Sequence, residues 1–304
     1  MARAFHSSGD LIADRRASYA DMLFDSGDHA AAADLMAQAL ELVPDWTAGR
    51  FRLGEMWEAA GQNDSAAEAW RDVLERDPED RFGAGLKLAA TGHADAPATP
   101  PLAYVETLFD AYAPTFESAL LDKLEYRVPE LLAAAIKENG KGRRYASVLD
   151  LGCGTGLMGP YVRPLTDYLA GMDLSEPMLL KATEKQVYDN LGKGDVNDFE
   201  VAPQSIDLII AADVFVYVGD LDRAFAAIAK ALAIDGLFVF SVENQEGSDE
   251  PVLQASLRYT HSRTYVERLL SDHGMAAISL TQETIRQDRG EPLQGLIVVA
   301  KLAA

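Results

Sequence analysis

The sequence has few of the features that mark secreted, membrane-bound or nucleic-acid-binding proteins. It contains one cysteine, Cys153, so no internal disulfide can form, as is usual in the reducing cytoplasm. Charged residues interrupt its apolar runs before these reach the length of a membrane span. Its first residues have no long apolar core, so we expect no secretory signal. These absences predict a cytoplasmic protein that does not bind membranes.

Positive charge is also scarce. The chain has 27 Lys and Arg against 48 Asp and Glu, a formal net charge of −21. Binding to a phosphate backbone requires cations that replace its counterions, so we expect no nucleic-acid partner. Hydrophobic residues make up 48% of the 304 positions, which is enough for real cores in about two domains.

Residues 13–80 repeat themselves. Pro44 and Pro78 lie 34 positions apart, a period that is typical of helical repeats. The same spacing relates Ala20 to Gly54, Leu23 to Trp57, Gly27 to Gly61, Ala32 to Ala66 and Met36 to Trp70. Small residues at paired positions let helices approach closely, and the glycines are placed to end helices. The segment resembles two tetratricopeptide repeats.

One side of each repeat's first helix is acidic. It is formed by Asp14, Ala17, Asp21, Phe24 and Asp25 in the first copy and by Ala48, Phe51, Glu55, Glu58 and Ala59 in the second. The resemblance implies that this side lines the concave groove. Its five carboxylates, two phenylalanines and lack of cations suggest the hypothesis of a groove for a protein partner with a basic, partly apolar peptide. The alternative is a solvated acidic face.

A proline-rich stretch separates this region from the rest. We therefore predict helical repeats over residues 1–92, a linker over 93–101 and a second domain over 102–304. In the second domain, strands alternate with helices. The predicted strands cover residues 145–151, 168–173, 205–213 and 236–242, and a final antiparallel pair covers 276–286 and 293–302. The predicted helices cover residues 157–165, where Pro160 and Pro164 would kink the helix, and residues 175–187, 221–233 and 264–272. This order predicts an α/β fold with a Rossmann-like, doubly wound, mostly parallel sheet and an antiparallel C-terminal edge, preceded by an all-α domain.

A glycine-rich turn follows the first predicted strand. Asp150 is followed by Gly152, Gly154 and Gly156, each separated by one residue. Glycine adopts positive φ and lets the backbone approach a ligand, and turns of this kind bind nucleotides in open α/β sheets. Gly154, Gly156 and Gly159 also fit a dinucleotide fingerprint, which is the competing interpretation. Cys153 is interpreted as a small residue of the turn.

The run from Asp150 to Gly156, together with Asp173, resembles the class I S-adenosylmethionine (SAM)-dependent methyltransferases over residues 102–302. The resemblance implies that Gly152, Gly154 and Gly156 approach the methionine part of SAM. It also implies that Asp150 organises the ammonium end through water. Asp173 would bind both ribose hydroxyls, for which a carboxylate has two acceptor oxygens. The alternative role of Asp173 is to cap a helix.

The same resemblance assigns the adenine side of the cofactor. Leu174 and Met178 would pack on adenine, although Met178 is equally suited to a helix core. Asp195 would accept a hydrogen bond from the adenine amino group, and the Val196 amide would serve a ring nitrogen.

An aromatic segment precedes the first strand. Phe109, Asp110, Tyr112, Ala113 and Phe116 follow a pattern that resembles the N-terminal lid of small-molecule methyltransferases. In that family the lid covers SAM, and Tyr112 would contact it. The alternative is an amphipathic helix that packs both phenylalanines into the core. With the repeats, the chain resembles the predicted tetratricopeptide-containing methyltransferases.

Four residues are candidates for the acceptor side. Asp213 ends the predicted strand over residues 205–213, Tyr217 follows it, and both are placed to orient the acceptor. In a second cluster, His261 would serve as a general base, needed only if the acceptor keeps its proton, and Arg258 would bind a carboxylate. The alternative is that His261 and Ser262 cap a helix while Arg258 pairs with a surface acid. No metal site is expected.

These residues together predict a cytoplasmic enzyme that transfers a methyl group from SAM. The expected acceptor is a small molecule, with a carboxylate among the candidates. The alternative is an interaction scaffold that keeps the SAM fold without transfer activity and uses its repeats to bind a protein partner. The acceptor, the methylated atom and the oligomeric state stay open.

Overall fold

The computed structural model describes residues 7–120, 124–288 and 290–303. Residues 1–6 of the predicted repeat domain and residue 289 between the last two predicted strands lie outside the described residues. The chain divides into two compact units. One comprises Met1–Thr107 with Ala255–Leu257, and the other comprises Leu108–Gln254 with Arg258–Ala304.

The described part of the first unit is helical, as predicted. Its complete helices are α1 (Leu11–Asp25), α2 (His29–Leu42), α3 (Thr47–Ala59), α4 (Asn63–Arg76) and α5 (Ala84–Ala90). Met36 and Trp70 are both buried, as the repeat predicts for bulky residues at equivalent positions. A Cβ on Gly54 would lie 2.3 Å from Nε1 of Trp70, so the small residue is required where α3 and α4 cross.

The two repeat glycines end α1 and α3. Gly27 and Gly61 adopt φ values of +90° and +77°. The Gly27 amide donates to the Phe24 carbonyl, and the next amide donates to the Leu23 carbonyl. This is the Schellman arrangement, which needs a left-handed residue after the helix.

The acidic side of the repeats contains cations, and the expectation of none is wrong. Arg52 donates to Asp21 and Glu55, each at 2.8 Å. Lys87 donates to Glu58 at 2.7 Å. Arg52 precedes Glu55 by three positions on α3 and so reaches the same side, while Lys87 comes from α5, outside the two repeats. Three of the predicted carboxylates are therefore already paired.

The second unit contains a mixed sheet. Its strands are β1 (Tyr145–Leu151), β2 (Thr166–Asp173), β3 (Asn190–Lys193), β4 (Ile206–Ala211), β5 (Leu232–Glu243), a separate pair β6 (Val252–Leu253) and β7 (Tyr259–Thr260), β8 (Met275–Asp288) and β9 (Glu291–Leu302). This unit begins at Leu108, within α6 (Leu102–Tyr112). Its further helices are α7 (Phe116–Ser118), α8 (Val128–Gly140), α9 (Gly159–Val162), α10 (Glu176–Glu184), α11 (Asp222–Ala231) and α12 (Arg263–Asp272).

The strand order confirms the predicted fold class. The strands of the large sheet lie in the order β3-β2-β1-β4-β5-β9-β8. The first five of these neighbours, from β3 through β2, β1 and β4 to β5, are parallel. Strand β9 pairs antiparallel with β5 and with β8. Alternate residues of β4 enter separate apolar clusters, Ile209 one cluster and Leu208 the other, so both faces of the sheet are covered. The carboxyl ends of β1, β2 and β4 meet at one edge, where ligands bind in such sheets.

Two local predictions need correction. The helix predicted from residue 157 is only the short α9, followed by a 3-10 turn at Arg163–Leu165, because Pro164 cannot donate a helical hydrogen bond. The edge strand β3 is absent from the predicted strands, because it is short and polar.

Candidate functional site

The glycine turn follows β1 at the ligand edge of the sheet. Gly152, Gly154 and Gly156 adopt φ values of +60°, +55° and +83°. A Cβ on Gly152 would lie 2.6 Å from a methyl of Val214, so a larger residue has no room there. We call the segment 152–156 the glycine loop.

Asp173 fastens the glycine loop to the end of β2. Its Oδ2 accepts a hydrogen bond from the Gly154 amide at 2.8 Å, and its Oδ1 accepts one from the Ser175 amide at 2.9 Å. Burial raises the pKa of Asp173. The cap of α10 is Ser175, whose hydroxyl accepts from the Met178 amide. Asp173 therefore joins two loops, and each of its oxygens keeps a second lone pair.

Asp150 is the last charged residue before the glycine loop. It is 1% exposed, and its Oδ2 accepts a hydrogen bond from the Tyr188 hydroxyl at 2.7 Å. Burial raises its pKa to about 7. Asp150 and Asp173 thus place two carboxylates beside the glycine loop.

A buried charge cluster lies after β4. Asp213, just beyond β4, adopts a φ of +59°, which is unusual for a residue with a side chain. Its amide donates to Ser241 at 2.9 Å, and its Oδ2 accepts from Arg286 at 2.7 Å. Arg286 is 1% exposed and also donates to Glu243, at the end of β5. The other oxygen of Asp213, Oδ1, is buried and has no partner in the described part of the chain.

Arg258 extends this cluster toward Tyr217. Its Nε donates to the Tyr217 hydroxyl at 3.2 Å, and its Nη1 lies 3.6 Å from Glu243. Glu243, the acid that pairs with Arg258, is buried and does not lie at the surface. Arg258, 41 positions beyond Tyr217 in the sequence, is thereby brought together with Asp213, Tyr217, Glu243 and Arg286.

Comparison with known proteins identifies the family. A methyltransferase domain model matches residues 149–240, and a tetratricopeptide repeat model matches residues 23–88. The malonyl-[acyl-carrier protein] O-methyltransferase of Methylococcus capsulatus is 32% identical over 209 residues, which are 64% of this chain and 73% of that protein. This chain belongs to the SAM-dependent methyltransferases. It carries tetratricopeptide repeats at its N-terminal end.

Two further relatives of this methyltransferase define how far the likeness extends. A malonyl-[acyl-carrier protein] O-methyltransferase of Pseudescherichia vulneris is 28% identical over 169 residues, 56% of this chain and 62% of that enzyme. This chain therefore spans less than two thirds of the length of that relative. The structure of 1,6-didemethyltoxoflavin-N1-methyltransferase from Burkholderia thailandensis gives a TM-score of 0.53 at 18% identity, covering 69% of this chain and 94% of that one. At this identity the likeness shows the shared fold.

The residues at the ligand edge of the methyltransferase fit SAM, the cofactor of the family. The glycine loop turns its backbone without side chains in the way, and the Asp173 carboxylate has acceptor capacity for a vicinal diol. The buried Asp150 carboxylate, which lies near a second negative charge, suits a cationic group. A dinucleotide is disfavoured because the methyltransferase model matches residues 149–240, which include this same turn.

The predicted adenine side divides between surface and core. Leu174 is half-buried directly after β2, whereas Met178 is fully buried in the core-facing side of α10. Asp195 follows β3 at the same sheet edge, and its Oδ1 accepts from the backbone and side chain of Asn197. Val196 is buried beside it.

The aromatic segment of the methyltransferase packs over both halves of the site. Phe109 meets the ring of Tyr217 edge-on at 4.9 Å, and Tyr112 meets Phe116 edge-on at 5.5 Å. Asp110 accepts a hydrogen bond from Ser175 at 2.6 Å. The segment therefore contacts both Tyr217 and the residue that caps α10, and burial raises the pKa of Tyr112.

His261 lies in the interior, where a backbone carbonyl already engages its Nε2. Its ring is 0% exposed, and Nε2 lies 3.0 Å from the Gly219 carbonyl, to which it must donate. Burial lowers its pKa to about 4. Ser262 caps α12 by accepting from the Tyr265 amide, as the alternative interpretation predicted.

Sequence reasoning missed Tyr188, Glu243 and Arg286. A charged residue in a strand, as at Arg286, is a signal that could have been used, since buried arginines are nearly always paired. No group of side chains in the described residues could hold a metal ion. Among the helices that the structure describes, none is long and apolar enough to cross a membrane.

Proposed function

We propose that this chain transfers a methyl group from SAM to a small-molecule acceptor that carries a carboxylate. The observation that carries the cofactor assignment is the link between the Gly154 amide and Asp173. It joins the two sheet-edge loops that hold the methionine and ribose parts in this family. When bound, SAM supplies an electrophilic methyl group on a sulfonium.

The cofactor residues are proposed position by position. The glycine loop (Gly152, Gly154 and Gly156) and Asp150 would hold the amino-acid end, and Asp173 the ribose. Leu174, Met178, Asp195 and Val196 would enclose adenine, and Tyr112 would cover the site. Met178 would act from the core, by supporting Leu174 rather than through an exposed surface.

The acceptor class is argued from the charge cluster. The Arg258 side chain is 15% exposed and lies among groups at the sheet edge next to Tyr217. Its acidic neighbour Glu243, 3.6 Å away, is also hydrogen-bonded to Arg286, so this carboxylate is shared between two cations. The two malonyl-[acyl-carrier protein] O-methyltransferases are named for transfer to a malonyl group, which ends in a carboxylate.

Asp213 and Tyr217 would orient the acceptor. The unpartnered Oδ1 of Asp213 can accept a hydrogen bond from an O–H or N–H group of the bound molecule. Because the methyl donor is already activated, alignment supplies most of the catalysis, and a base is needed only for a protonated nucleophile. His261 is left without a base role because it is enclosed.

The repeats are proposed to bind a protein segment. With Arg52 and Lys87 on the acidic side, a basic peptide would meet less negative charge than the sequence implied. Binding of cationic and anionic peptides of equal length to the whole protein compares the two cases. A scaffold without transfer activity would bind SAM and such a segment but methylate nothing.

We also propose the cytoplasm as the compartment, in line with the single buried cysteine.

Incubation with methyl-labelled SAM and a metabolite extract tests the transfer. We expect label on a small carboxylic acid, and mass spectrometry then identifies the methylated atom. Label on polypeptide instead would indicate a protein-borne acceptor, and no label at all would favour the scaffold.

The variants Arg258→Met and His261→Gln separate the two predicted acceptor residues. Arg258→Met should lose about a hundredfold in transfer rate, because a charge-assisted contact to the acceptor carboxylate is lost. It should still bind S-adenosylhomocysteine (SAH), the demethylated product. His261→Gln should retain transfer if it binds SAH, which reports that it has folded. Normal turnover in Arg258→Met would remove Arg258 from the site.

A further inference from the structure

Tyr188 lies in the turn between α10 and β3, and no sequence motif marks it. Its hydroxyl donates to Oδ2 of Asp150 at 2.7 Å. Asp150 belongs to β1 and is buried directly before the glycine loop. A carboxylate that is buried so deeply needs hydrogen-bond donors to remain ionised. Tyr188 is therefore the side-chain donor that Asp150 needs.

The ring of Tyr188 is fixed by the backbone around it. A Cβ on Gly156 or Gly159 would lie 2.9 Å from Cε2 of the ring, and one on Gly171 would lie 2.9 Å from Cε1. Real side chains do not approach so closely, so three glycines leave room for this one ring. The hydroxyl is held in place relative to the glycine loop.

The charges around Asp150 favour a cationic ligand. Burial raises the pKa of Asp150, the Tyr188 hydrogen bond lowers it, and the charge of Asp173 raises it. The two carboxylates repel one another, and a positive group between the loop and Asp150 would relieve this repulsion. Of the parts of SAM, the amino-acid end is the one that presents an ammonium group.

We propose that Tyr188 is a positioning residue of the cofactor site, which holds the Asp150 carboxylate for the ammonium group of the cofactor. The inference rests on the proposed function, since it takes SAM as the ligand of the glycine loop. Tyr188 acts through Asp150, so its hydroxyl matters only for ligands that have the amino-acid part.

Calorimetric titration of the whole protein with two ligands tests this proposal. SAH has the amino-acid part, whereas methylthioadenosine has the same nucleoside and sulfur without it. In Tyr188→Phe, which keeps the ring, the affinity for SAH should fall about tenfold, the effect of one hydrogen bond to a charged group. The affinity for methylthioadenosine should stay unchanged.

Tyr145→Phe is the matched control. The Tyr145 hydroxyl is buried and has no hydrogen-bond partner in the described structure, and Tyr145 opens β1 at the end opposite the glycine loop. This variant should bind both ligands as the unaltered protein does.

Two results would overturn the role of Tyr188. One is an equal loss of affinity for both ligands in Tyr188→Phe, which would mean that the hydroxyl serves only the packing of the loop. The other is unchanged binding of SAH. If the unaltered protein binds neither ligand, the proposed function fails instead, and the two failures are thereby distinguished.

Discussion

At the scale of single residues, the site is defined by carboxylates whose surroundings differ. Asp150 is enclosed and bonded to a tyrosine hydroxyl, whereas Asp173 is bonded to two backbone amides. Asp213 is bonded to a guanidinium and keeps one buried oxygen without a partner. The same functional group can therefore serve an ammonium, a diol or an acceptor, because its neighbours decide its charge and its remaining lone pairs.

The raised pKa of Asp150 predicts that cofactor affinity depends on pH. Since that pKa is about 7, the carboxylate is mostly protonated at acidic pH and cannot attract an ammonium group. We expect the affinity for SAH, measured by calorimetry, to rise about tenfold between pH 5.5 and pH 7.5. Asp150→Asn should bind SAH weakly at both pH values, and a pH dependence that survives in Asp150→Asn would contradict the assignment.

The sign of the effect on stability is opposite. The pKa of Asp150 lies above its ordinary value of 3.8, so the folded protein binds the proton more tightly than the unfolded chain does. The stability that this provides is fully present below pH 3.8 and is lost as the pH rises through about 7. Cofactor binding thus favours the ionised form that folding alone disfavours.

At the scale of elements, the last hairpin contributes a cation to the buried charge cluster beyond β4. Arg286 comes from β8, and its two partners follow β4 and end β5. The antiparallel edge therefore does more than close the sheet, since it supplies the charge that neutralises Asp213 and Glu243. A buried pair of this kind is costly to break because the remaining partner stays buried without compensation.

Arg286→Met tests this link between elements. It leaves Asp213 and Glu243 without their shared cation, so the free energy of unfolding in urea should fall by about 3–5 kcal/mol. Adding Glu243→Gln should restore part of the loss. The control is Arg144→Met, whose partner Asp167 is 63% exposed, and it should cost less than about 1 kcal/mol. Equal unfolding midpoints for Arg286→Met and Arg144→Met would refute the role of the buried pair.

At the scale of the whole molecule, a helical-repeat unit and a methyltransferase unit form separate cores. The chain has a net charge of −21. Some carboxylates of the repeats are paired with Arg52 and Lys87. This charge opposes binding to nucleic acids.

Binding of the cofactor product should stabilise the folded chain. A ligand that binds only the native state adds about 2.7 kcal/mol at a hundred times its dissociation constant. We therefore expect SAH to raise the thermal unfolding midpoint, as measured by calorimetry. Adenosine diphosphate and nicotinamide dinucleotide at equal concentration should leave the midpoint unchanged. A rise with the dinucleotide but not with SAH would reverse the choice of cofactor.

Local and periodic signals predicted most of the fold. The 34-residue period predicted the repeats, and Gly27 and Gly61 ended their helices because only glycine adopts their φ without strain. Alternating strands and helices predicted the sheet. The short edge strand β3 was missed, because a few polar residues carry little periodic signal. The length of the one-turn helix α9 was overestimated, because closely spaced prolines end a helix that the apolar residues alone would continue.

The sequence by itself determined the family, the glycine loop and the carboxylates beside it, because these depend on backbone freedom within a few neighbouring positions. Only the tertiary structure decided which side chains share a site. Tyr188 reaches Asp150 and Arg286 reaches Asp213 across 38 and 73 positions, and His261 is enclosed although its sequence context suggested an exposed base. Burial and long-range pairing fix charge and access, and neither is encoded in local spacing.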